Sequence, residues 1–264
     1  MTSVVVRNAP ADPLRVALDA ALEAGELLIS HMNQPLNIRE KDRRADIVTA
    51  ADRASERIIV ARLAAAFPHA TILGEESGTR RGTSDERWIV DPLDGTTNYA
   101  HGYPLFCVSI AFERAGEIVA GVVHAPLMRE TFAAQRGAGA TRNGEPITVS
   151  TIGNVADALT CTGFHPADFD RNARCFRAVS ERAQGVRRDG SAALDLAYVA
   201  AGRFDGFWEW DLHAWDVAAG TLLVREAGGR VTQIDGSEAR VEAGSILASN
   251  GIVHEELRAV LAVA

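Results

Sequence analysis

Apolar side chains recur every three to four residues in two stretches near the start of the chain. The first stretch, residues 13–32, ends before Pro35, and the second, residues 46–67, ends before Pro68. This spacing is typical of amphipathic helices, and proline ends a helix because it has no N–H to donate. We therefore predict two helices ahead of a first strand at residues 71–73.

Residues 37–45 are mostly charged and predict an exposed strand or loop between the two helices. After residue 100 the pattern changes to short apolar runs at 106–112, 118–124 and 131–135, which glycine and proline separate. Short apolar runs bounded by turn residues are typical of strands. We therefore predict an antiparallel meander in the middle of the chain.

From about residue 155, strand-like and helix-like segments alternate. The predicted strands are residues 158–162, 204–208 and 230–234, the predicted helices are 169–182, 192–201 and 216–227, and the segments 246–248 and 253–261 close the chain. This order predicts an α+β fold. An N-terminal α+β part, residues 1–150, and a C-terminal α/β part, residues 151–264, would share one continuous sandwich.

The composition is that of an ordinary globular protein with an acidic balance. The chain has 264 residues, of which 47% are hydrophobic and 23% charged, and its formal net charge is −8. Such a protein gains no attraction to nucleic acid or to an anionic membrane from its overall field. We therefore expect no membrane and no direct nucleic-acid binding. If the partner is a small-molecule phosphate ester, a local cation must reverse the sign of the site.

Three cysteines, Cys107, Cys161 and Cys175, include no closely spaced pair. An odd number without Cys-x-x-Cys spacing predicts buried free thiols rather than a disulfide framework or a zinc site. Free thiols persist in reducing compartments. Residues 1–10 have no apolar signal-peptide core, and no uncharged run is long enough to span a bilayer, so we expect a cytoplasmic protein.

Residues 91–98, Asp-Pro-Leu-Asp-Gly-Thr-Thr-Asn, carry the strongest chemical signal in the chain. They follow the apolar run at 88–90, which predicts a buried strand. Two carboxylates three residues apart can direct hard oxygen ligands to one point, and these suit Mg²⁺, Mn²⁺ or Ca²⁺. Backbone N–H groups at a helix start suit an anion, above all phosphate. The segment therefore indicates phosphoryl chemistry.

Four acidic residues follow predicted strands or begin a predicted helix: Glu75, Asp91, Asp94 and Asp216. Layered folds place ligands at such positions, so we expect these carboxylates to meet at one edge, where divalent cations would offset their repulsion. Each also has a simpler interpretation. Asp216 is equally an N-cap, Glu75 a solvated loop acid, Asp91 a strand end and Asp94 part of a turn.

Two further segments are candidates for the same site. Gly190, Ser191 and Ala192 begin a predicted helix in the manner of an anion or sugar-hydroxyl site, although Ser191 is equally an N-cap. Glu209 ends an aromatic strand, where it would accept hydrogen bonds from substrate hydroxyls or simply face solvent. Asp52, in the second helix, carries little signal alone.

Five segments, residues 46–52, 74–77, 88–99, 190–196 and 215–220, agree in order and spacing with a known family. The chain resembles the inositol monophosphatase family, within the lithium-sensitive, Mg²⁺-dependent phosphatases related to fructose-1,6-bisphosphatase. It is most similar to the bacterial inositol-1-monophosphatases. The resemblance implies a layered α-β-α-β-α sandwich, two or three Mg²⁺ ions for which Mn²⁺ can substitute, and a homodimer.

The resemblance also implies roles for individual residues. The implied metal ligands are Glu75, Asp91, the backbone carbonyl of Leu93, Asp94 and Asp216. The implied catalytic residues are Glu75, Thr96 and Asp52, because Thr96, polarised by Asp52 or Glu75, would orient and deprotonate the attacking water. The implied substrate contacts are Asp94, Gly95, Thr96, Gly190, Ser191, Ala192 and Glu209.

The implied reaction is hydrolysis of myo-inositol monophosphate to myo-inositol and phosphate. Histidinol phosphate, fructose-1,6-bisphosphate and nucleotide 3′-phosphates are alternative substrates on the same metal core, and a regulatory protein that binds transcription machinery is an alternative of another class. The sequence departs from the family pattern at Asp211 and Ala214, where many relatives have glycine and proline. This departure concerns the substrate more than the chemistry.

Overall fold

The computed structural model describes residues 11–32, 39–40, 47–164 and 168–264. These residues form seven α-helices, which are α1 (Pro13–His31), α2 (Ala50–Ala66), α3 (Thr96–Ala100), α4 (Phe169–Ser180), α5 (Ala192–Ala200), α6 (Ala214–Glu226) and α7 (His254–Ala262). No helix among the described residues combines the length and the apolar character needed to cross a bilayer.

The first ten strands are β1 (Arg39–Glu40), β2 (Ile47–Val48), β3 (Thr71–Gly74), β4 (Gly78–Arg80), β5 (Glu86–Asp94), β6 (Cys107–Arg114), β7 (Glu117–Ala125), β8 (Glu130–Gln135), β9 (Gly139–Arg142) and β10 (Glu145–Ile147). Strands β1 and β2 pair with each other, and the other eight form one sheet in the order β10-β9-β8-β7-β6-β5-β3-β4. From β5 to β10 each strand pairs antiparallel with the next, which confirms the predicted meander.

The remaining strands are β11 (Leu159–Thr162), β12 (Gly185–Arg187), β13 (Gly206–Trp210), β14 (Arg230–Thr232) and β15 (Ser245–Ser249). They form a second sheet in the order β12-β11-β13-β15-β14, in which β11 is parallel to both of its neighbours. A helix lies between β11 and β12 and another between β12 and β13, as parallel connections require.

The helices complete a stack of five layers. Helices α1 and α2 cover one face of the large sheet, α5 and α6 contact both sheets, and α4 and α7 cover the far face of the second sheet. The middle helices come close to their neighbours through small residues: Gly121 of β7 packs on Ala219 of α6, and Gly220 of α6 packs on Leu196 of α5. This arrangement confirms the predicted α+β fold and its α-β-α-β-α layers.

Two predicted helix starts are corrected by the structure. Helix α2 begins at Ala50 rather than at residue 46, because Ile47–Val48 pairs with β1 and Thr49 caps the helix. Helix α6 begins at Ala214, so Asp216 lies in its first turn rather than at its start. Most of the charged segment 37–45 and the predicted start at residue 46 lie outside the described residues.

The short strands β4, β9, β10 and β12 were not predicted. Each has only three or four residues, and β9 lies in a stretch with three glycines, Gly137, Gly139 and Gly144, a composition that is typical of turns. Cross-strand pairing holds these segments extended, and this pairing is not visible in a local hydrophobic pattern.

Candidate active site

The end of strand β5 places two carboxylates on one side of the large sheet. In a regular strand, residues three positions apart point to opposite faces. The pairing of β5 with β6 is irregular between Asp91 and Asp94, which align with Ser109 and Cys107. This irregularity interrupts the regular alternation of side chains between the two faces of the sheet, so Asp91 and Asp94 can point to the same side. The two carboxylates lie near enough for the charge of Asp94 to raise the pKa of Asp91.

Asp91 is buried within this cluster, with 2% of its surface exposed. Burial raises its pKa well above the ordinary value, and the charges of Glu75, Asp94 and Asp216 raise it further. A hydrogen bond of 2.9 Å from the Leu93 N–H to Asp91 Oδ1 opposes this rise. The structure therefore brings together the four carboxylates that the sequence placed at strand ends and at a helix start.

Glu75 and Asp216 reach the cluster from two other elements. Glu75 directly follows β3, and its backbone N–H donates to the carbonyl of Val90 in β5 at 3.2 Å. Asp216 Oδ2 accepts a hydrogen bond from the backbone N–H of His213 at 2.6 Å, so it forms a capping box in the first turn of α6. Burial raises the pKa of Asp216, as does the charge of Asp94. The interpretation of Asp216 as an N-cap is wrong, because His213 is the N-cap and Asp216 bonds to its backbone N–H from the first turn of the helix.

Asp94 links the end of β5 to the start of helix α5. Its Oδ2 atom accepts hydrogen bonds of 2.7 Å from both the Ser191 hydroxyl and the Ala193 N–H. Burial raises the pKa of Asp94, while these bonds and the backbone N–H of Ala192 lower it. Ser191 occupies the N-cap position, but its side chain makes no cap hydrogen bond to its own helix. Asp94 therefore caps α5, although it lies 97 positions before Ser191 in the chain.

A buried hydrogen-bond chain connects helix α2 with the same loop. Asp52 Oδ2 accepts from the backbone N–H of Thr49 at 2.9 Å, and its Oδ1 lies 3.0 Å from the Thr96 hydroxyl. The Thr96 hydroxyl is also 3.0 Å from the carbonyl of Leu93, so its single proton is shared between two acceptors. Asp52 is fully buried, and burial raises its pKa. The sequence signal at Asp52 was weak because the capping role alone explains an acid at that position.

Gly95 turns the chain from β5 into α3 with a φ of 90°. A Cβ at this position would lie 2.9 Å from the Leu105 carbonyl and 3.3 Å from the Gly190 carbonyl. Glycine is therefore required for both its conformation and its close approach to the Gly190 turn. The Asn98 side chain joins the same two segments, since its Nδ2 donates to the carbonyls of Leu105 at 2.6 Å and Asp189 at 2.8 Å.

Glu209 lies at the end of β13, on the side of the cluster near Asp94 and Arg188. Burial and the charge of Asp94 raise its pKa to about 8, and Arg188 opposes the rise. A Cβ on Gly163 would lie 2.0 Å from the Glu209 carboxylate, so this carboxylate occupies the space that any other residue at 163 would fill. Gly163 therefore leaves the space in which the Glu209 carboxylate lies, a contact that sequence reasoning missed and that follows from the pairing of β11 with β13.

Sequence reasoning also missed two supports from helix α2. The Ser55 hydroxyl donates to the Pro92 carbonyl at 2.8 Å, and Glu56 Oε1 accepts from the backbone N–H of Glu76 at 3.1 Å. Ser55 and Glu56 follow Asp52 within one helical turn. The available signal was this run of polar residues, which the structure buries.

The donor chemistry of the cluster fits a hard divalent cation. All candidate donors are oxygen atoms. Besides burial, the charges of Asp94 and Asp216 raise the pKa of Asp91, and the charge of Asp94 raises that of Asp216. In this cluster, no three carboxylates have oxygen atoms that all lie within 4.8 Å of one another. Among the described residues, the potential ligand atoms of Cys161, Asp189 and Asp195 do lie within 4.8 Å of one another, and these residues were not predicted as ligands.

Comparison with known proteins agrees with this geometry. The model of the inositol monophosphatase family matches residues 11–263. The inositol-1-monophosphatase of Mesorhizobium japonicum is 46% identical over 92% of this chain and 94% of its own length. The Nus factor SuhB of Pseudomonas aeruginosa is also 46% identical, over 90% and 91%. A Thermotoga maritima relative named fructose-1,6-bisphosphatase/inositol-1-monophosphatase is 39% identical over 93% and 94%.

A solved structure shares the whole architecture. The extragenic suppressor protein suhB of Bartonella henselae superposes with a TM-score of 0.91 at 44% identity, over 94% of this chain and 97% of its own. The chain therefore belongs to the inositol monophosphatase family, and it is a phosphatase of that family. The names of its relatives differ in substrate and role, so membership of the family does not specify the substrate.

Proposed function

We propose that this protein hydrolyses myo-inositol monophosphate to myo-inositol and phosphate with Mg²⁺, using an activated water as the nucleophile. The convergence of Glu75, Asp91, Asp94 and Asp216 from three separate segments beside the Gly95 turn supports this proposal. Mutually repelling buried carboxylates are costly to fold unless cations offset their charge.

The acidic cluster would hold two or three Mg²⁺ ions, with Mn²⁺ as a substitute. The oxygen donors assigned to this task are the side chains of Glu75, Asp91, Asp94 and Asp216 and the backbone carbonyl of Leu93. Bound divalent ions lower the pKa of water and offset the charge of a phosphate dianion. The hydrogen bonds from Leu93 and from Ser191 already orient the carboxylates of Asp91 and Asp94, so little reorganisation is needed.

Thr96 and Asp52 would position the attacking water. The Thr96 hydroxyl donates its proton to Asp52 Oδ1 or to the Leu93 carbonyl, so its oxygen lone pairs remain available to accept a hydrogen bond from water. Asp52, or Glu75 nearby, would take up the proton. The backbone N–H groups of Gly95 and Thr96 lie at a helix start, where they would face the phosphate oxygens.

The alcohol part of the substrate would lie between the Gly190 turn and Glu209. The turn at Gly190, Ser191 and Ala192 lies next to the Gly95 turn. Glu209 lies near Asp94 on the other side. A carboxyl group at this position suits a polyol, which offers several hydroxyl donors. Because Ser191 also holds Asp94, a change at Ser191 is expected to affect metal binding as well as substrate binding.

The test is phosphate release from a panel of esters at fixed Mg²⁺. We expect the highest kcat/KM with myo-inositol monophosphate, and lower values with histidinol phosphate, fructose-1,6-bisphosphate and nucleotide 3′-phosphates. A clear preference for any of the other esters overturns the substrate assignment but retains the reaction class. The name of the Thermotoga maritima relative makes fructose-1,6-bisphosphate the most informative comparison.

A regulatory role in transcription is the second candidate, because the Pseudomonas aeruginosa relative at 46% identity is named as a Nus factor. Asp94→Asn separates the two functions. If the chain binds transcription machinery through another surface, the variant keeps that binding and loses phosphatase turnover. A chain that turns over no ester of the panel but binds transcription machinery would replace the first proposal.

We also infer that the protein works as a homodimer in the cytoplasm. Sedimentation equilibrium across a hundredfold concentration range tests the oligomeric state. A single species with the mass of one 28.2 kDa chain would contradict it.

A further inference from the structure

Three side chains beside the proposed active site converge at the start of helix α5. Cys161 lies in β11, Asp189 in the turn before α5, and Asp195 in the first turn of α5. The Cys161 Sγ atom and one carboxylate oxygen of each aspartate all lie within 4.8 Å of one another. Cys161 and Asp195 are buried, and Asp189 is partly exposed. The cluster therefore has a closed interior and one side open to solvent.

One of the two oxygens of the buried Asp195 carboxylate has no hydrogen-bond partner. Asp195 is 1% exposed, and its Oδ1 atom is buried with no hydrogen-bond partner. Leaving a buried oxygen without a hydrogen-bond partner is unfavourable, and more so if the group is charged. Burial raises the pKa of Asp195, and so do the charges of Asp189, Glu209 and Asp94, while a hydrogen bond from the Cys161 thiol lowers it.

We propose that Cys161, Asp189 and Asp195 bind a single divalent cation of borderline softness, with Zn²⁺ as the fitting ion. One sulfur and two carboxylate oxygens leave a fourth tetrahedral position for water. Zn–S and Zn–O bonds of about 2.3 and 2.1 Å place tetrahedral ligands about 3.4–3.6 Å apart, within the 4.8 Å limit of the cluster. Binding would replace the proton on Cys161 Sγ, which leaves to solvent, with a metal–sulfur bond.

This site differs in chemistry from the all-oxygen cluster around Asp91. Mg²⁺ prefers oxygen ligands, whereas a thiolate selects Zn²⁺ and softer ions. An ion held here would also fix the turn that precedes Gly190, because the Asp189 carbonyl already accepts from Asn98. Arg187 lies near Asp189, and its positive charge repels a cation. The negative charges of Asp189 and Asp195 must therefore exceed the effect of Arg187 for a cation to bind.

The test uses Cd²⁺ as a probe of the folded protein in saturating Mg²⁺, which occupies the oxygen cluster. A cadmium–thiolate bond produces an ultraviolet charge-transfer absorption that carboxylate ligation does not. We expect the absorption to saturate at one Cd²⁺ per chain and Zn²⁺ to abolish it by competition. Absence of the absorption in the unmodified protein overturns the proposal without bearing on the phosphatase assignment, which the ester panel tests.

Three variants assign the absorption to this cluster. Cys161→Ser should abolish it, and Asp189→Asn, at a partly exposed position, should weaken Cd²⁺ binding by at least about tenfold. Cys175→Ser is the matched control, since it removes another buried thiol and should leave the absorption unchanged. An absorption that persists in Cys161→Ser, or an unchanged affinity in Asp189→Asn, contradicts the site. Should Cys161→Ser not fold, the titration of Asp189→Asn still decides.

Discussion

At the residue scale, Asp94 serves two structures at once. Its Oδ2 atom caps helix α5 through Ser191 and Ala193, which leaves Oδ1 for the acidic cluster. This division of one carboxylate explains why a helix cap and a proposed cation ligand occupy the same position. It also allows the two roles to be separated by substitution.

We predict that Asp94→Asn lowers kcat/KM by more than about 100-fold with little loss of thermal stability. The amide oxygen can still accept from Ser191, but the amide nitrogen that replaces Oδ1 cannot bind a cation. Loss of a group that only orients a ligand already costs about 10–100-fold, so loss of a ligand should cost more. Steady-state kinetics and thermal unfolding measure both effects.

Asp85→Asn is the control for this prediction, since it removes the same charge from an exposed turn. The control should retain full activity. Activity retained in Asp94→Asn would remove Asp94 from the proposed set of ligands.

His254 is a buried histidine whose hydrogen bonds define its protonation state. The Thr232 hydroxyl donates to the Gln233 carbonyl at 2.7 Å and must accept from His254 Nε2 at 2.9 Å. The Ser249 hydroxyl accepts from a backbone N–H and donates to His254 Nδ1 at 2.9 Å. The neutral imidazole is fully satisfied, and burial lowers its pKa to about 4.

We predict that His254 stabilises the fold at neutral pH and loses this effect in acid. Its pKa in the folded state lies below the unfolded value of about 6.5, so the contribution is present above pH 6.5 and declines as the pH falls to about 4. The total change is about 1–3 kcal/mol. The difference in Tm between the unmodified protein and His254→Gln should shrink across this window.

The acidic cluster is present in both proteins, so its contribution cancels when the Tm of His254→Gln is subtracted from that of the unmodified protein. The raised pKa values of Asp91 and Asp216 act in the opposite direction, because their protonation relieves repulsion as the pH falls. A Tm difference that stays constant from pH 7 to pH 4 would show that His254 does not titrate as proposed.

At the element scale, the contact of helix α1 with the large sheet depends on Gly25. A Cβ at this position would lie 2.5 Å from the ring of His124 in β7. That ring is buried and held by a 2.9 Å hydrogen bond between its Nδ1 and the Thr131 hydroxyl. The helix therefore approaches the sheet more closely than alanine would allow.

We predict that Gly25→Ala destabilises the protein by about 1–2 kcal/mol. Alanine improves helix propensity by about 1 kcal/mol, but overpacking against a fixed ring costs about 1–3 kcal/mol, and the clash decides the sign. Denaturant unfolding measures the change. In a His124→Ala background the same substitution should become neutral or stabilising, and a destabilisation that persists there would contradict the assigned contact.

At the scale of the whole molecule, the proposed cation binding by the acidic cluster would be coupled to folding. Glu75, Asp91 and Asp94 are distant in sequence from Asp216, so the cluster exists only in the folded state. A ligand that binds only the folded state stabilises it by about 2.7 kcal/mol at 100 times its Kd.

We predict that saturating Mg²⁺ raises Tm by roughly 5–10 °C and that a chelator reverses the shift. Asp91→Asn should have a higher Tm than the unmodified protein without Mg²⁺, because one repelling charge is gone, and a smaller rise when Mg²⁺ is added. Differential scanning calorimetry on both proteins measures these shifts. An equal Mg²⁺ response in the two proteins would exclude Asp91 as a ligand.

The sequence alone determined most of the longer elements and the chemical types of the site. Helical spacing predicted α1, and alternating apolar runs predicted the meander of β6 to β8. The segment 91–98 predicted an oxygen-rich, anion-facing turn, because a proline, a glycine and two carboxylates constrain the backbone and the ligands locally. Local constraints of this kind are visible in the order of residues.

Only the tertiary structure decided which of these groups meet. The irregular pairing of β5 with β6, the cap that Asp94 gives to α5, and the space that Gly163 leaves for Glu209 all depend on contacts between distant segments. The grouping of Cys161 with two aspartates is of the same kind, whereas the prediction from cysteine spacing, three buried free thiols, is confirmed. Burial and electrostatic coupling arise from packing in three dimensions. For this reason the sequence gives the type of each residue but does not show which distant residues it contacts.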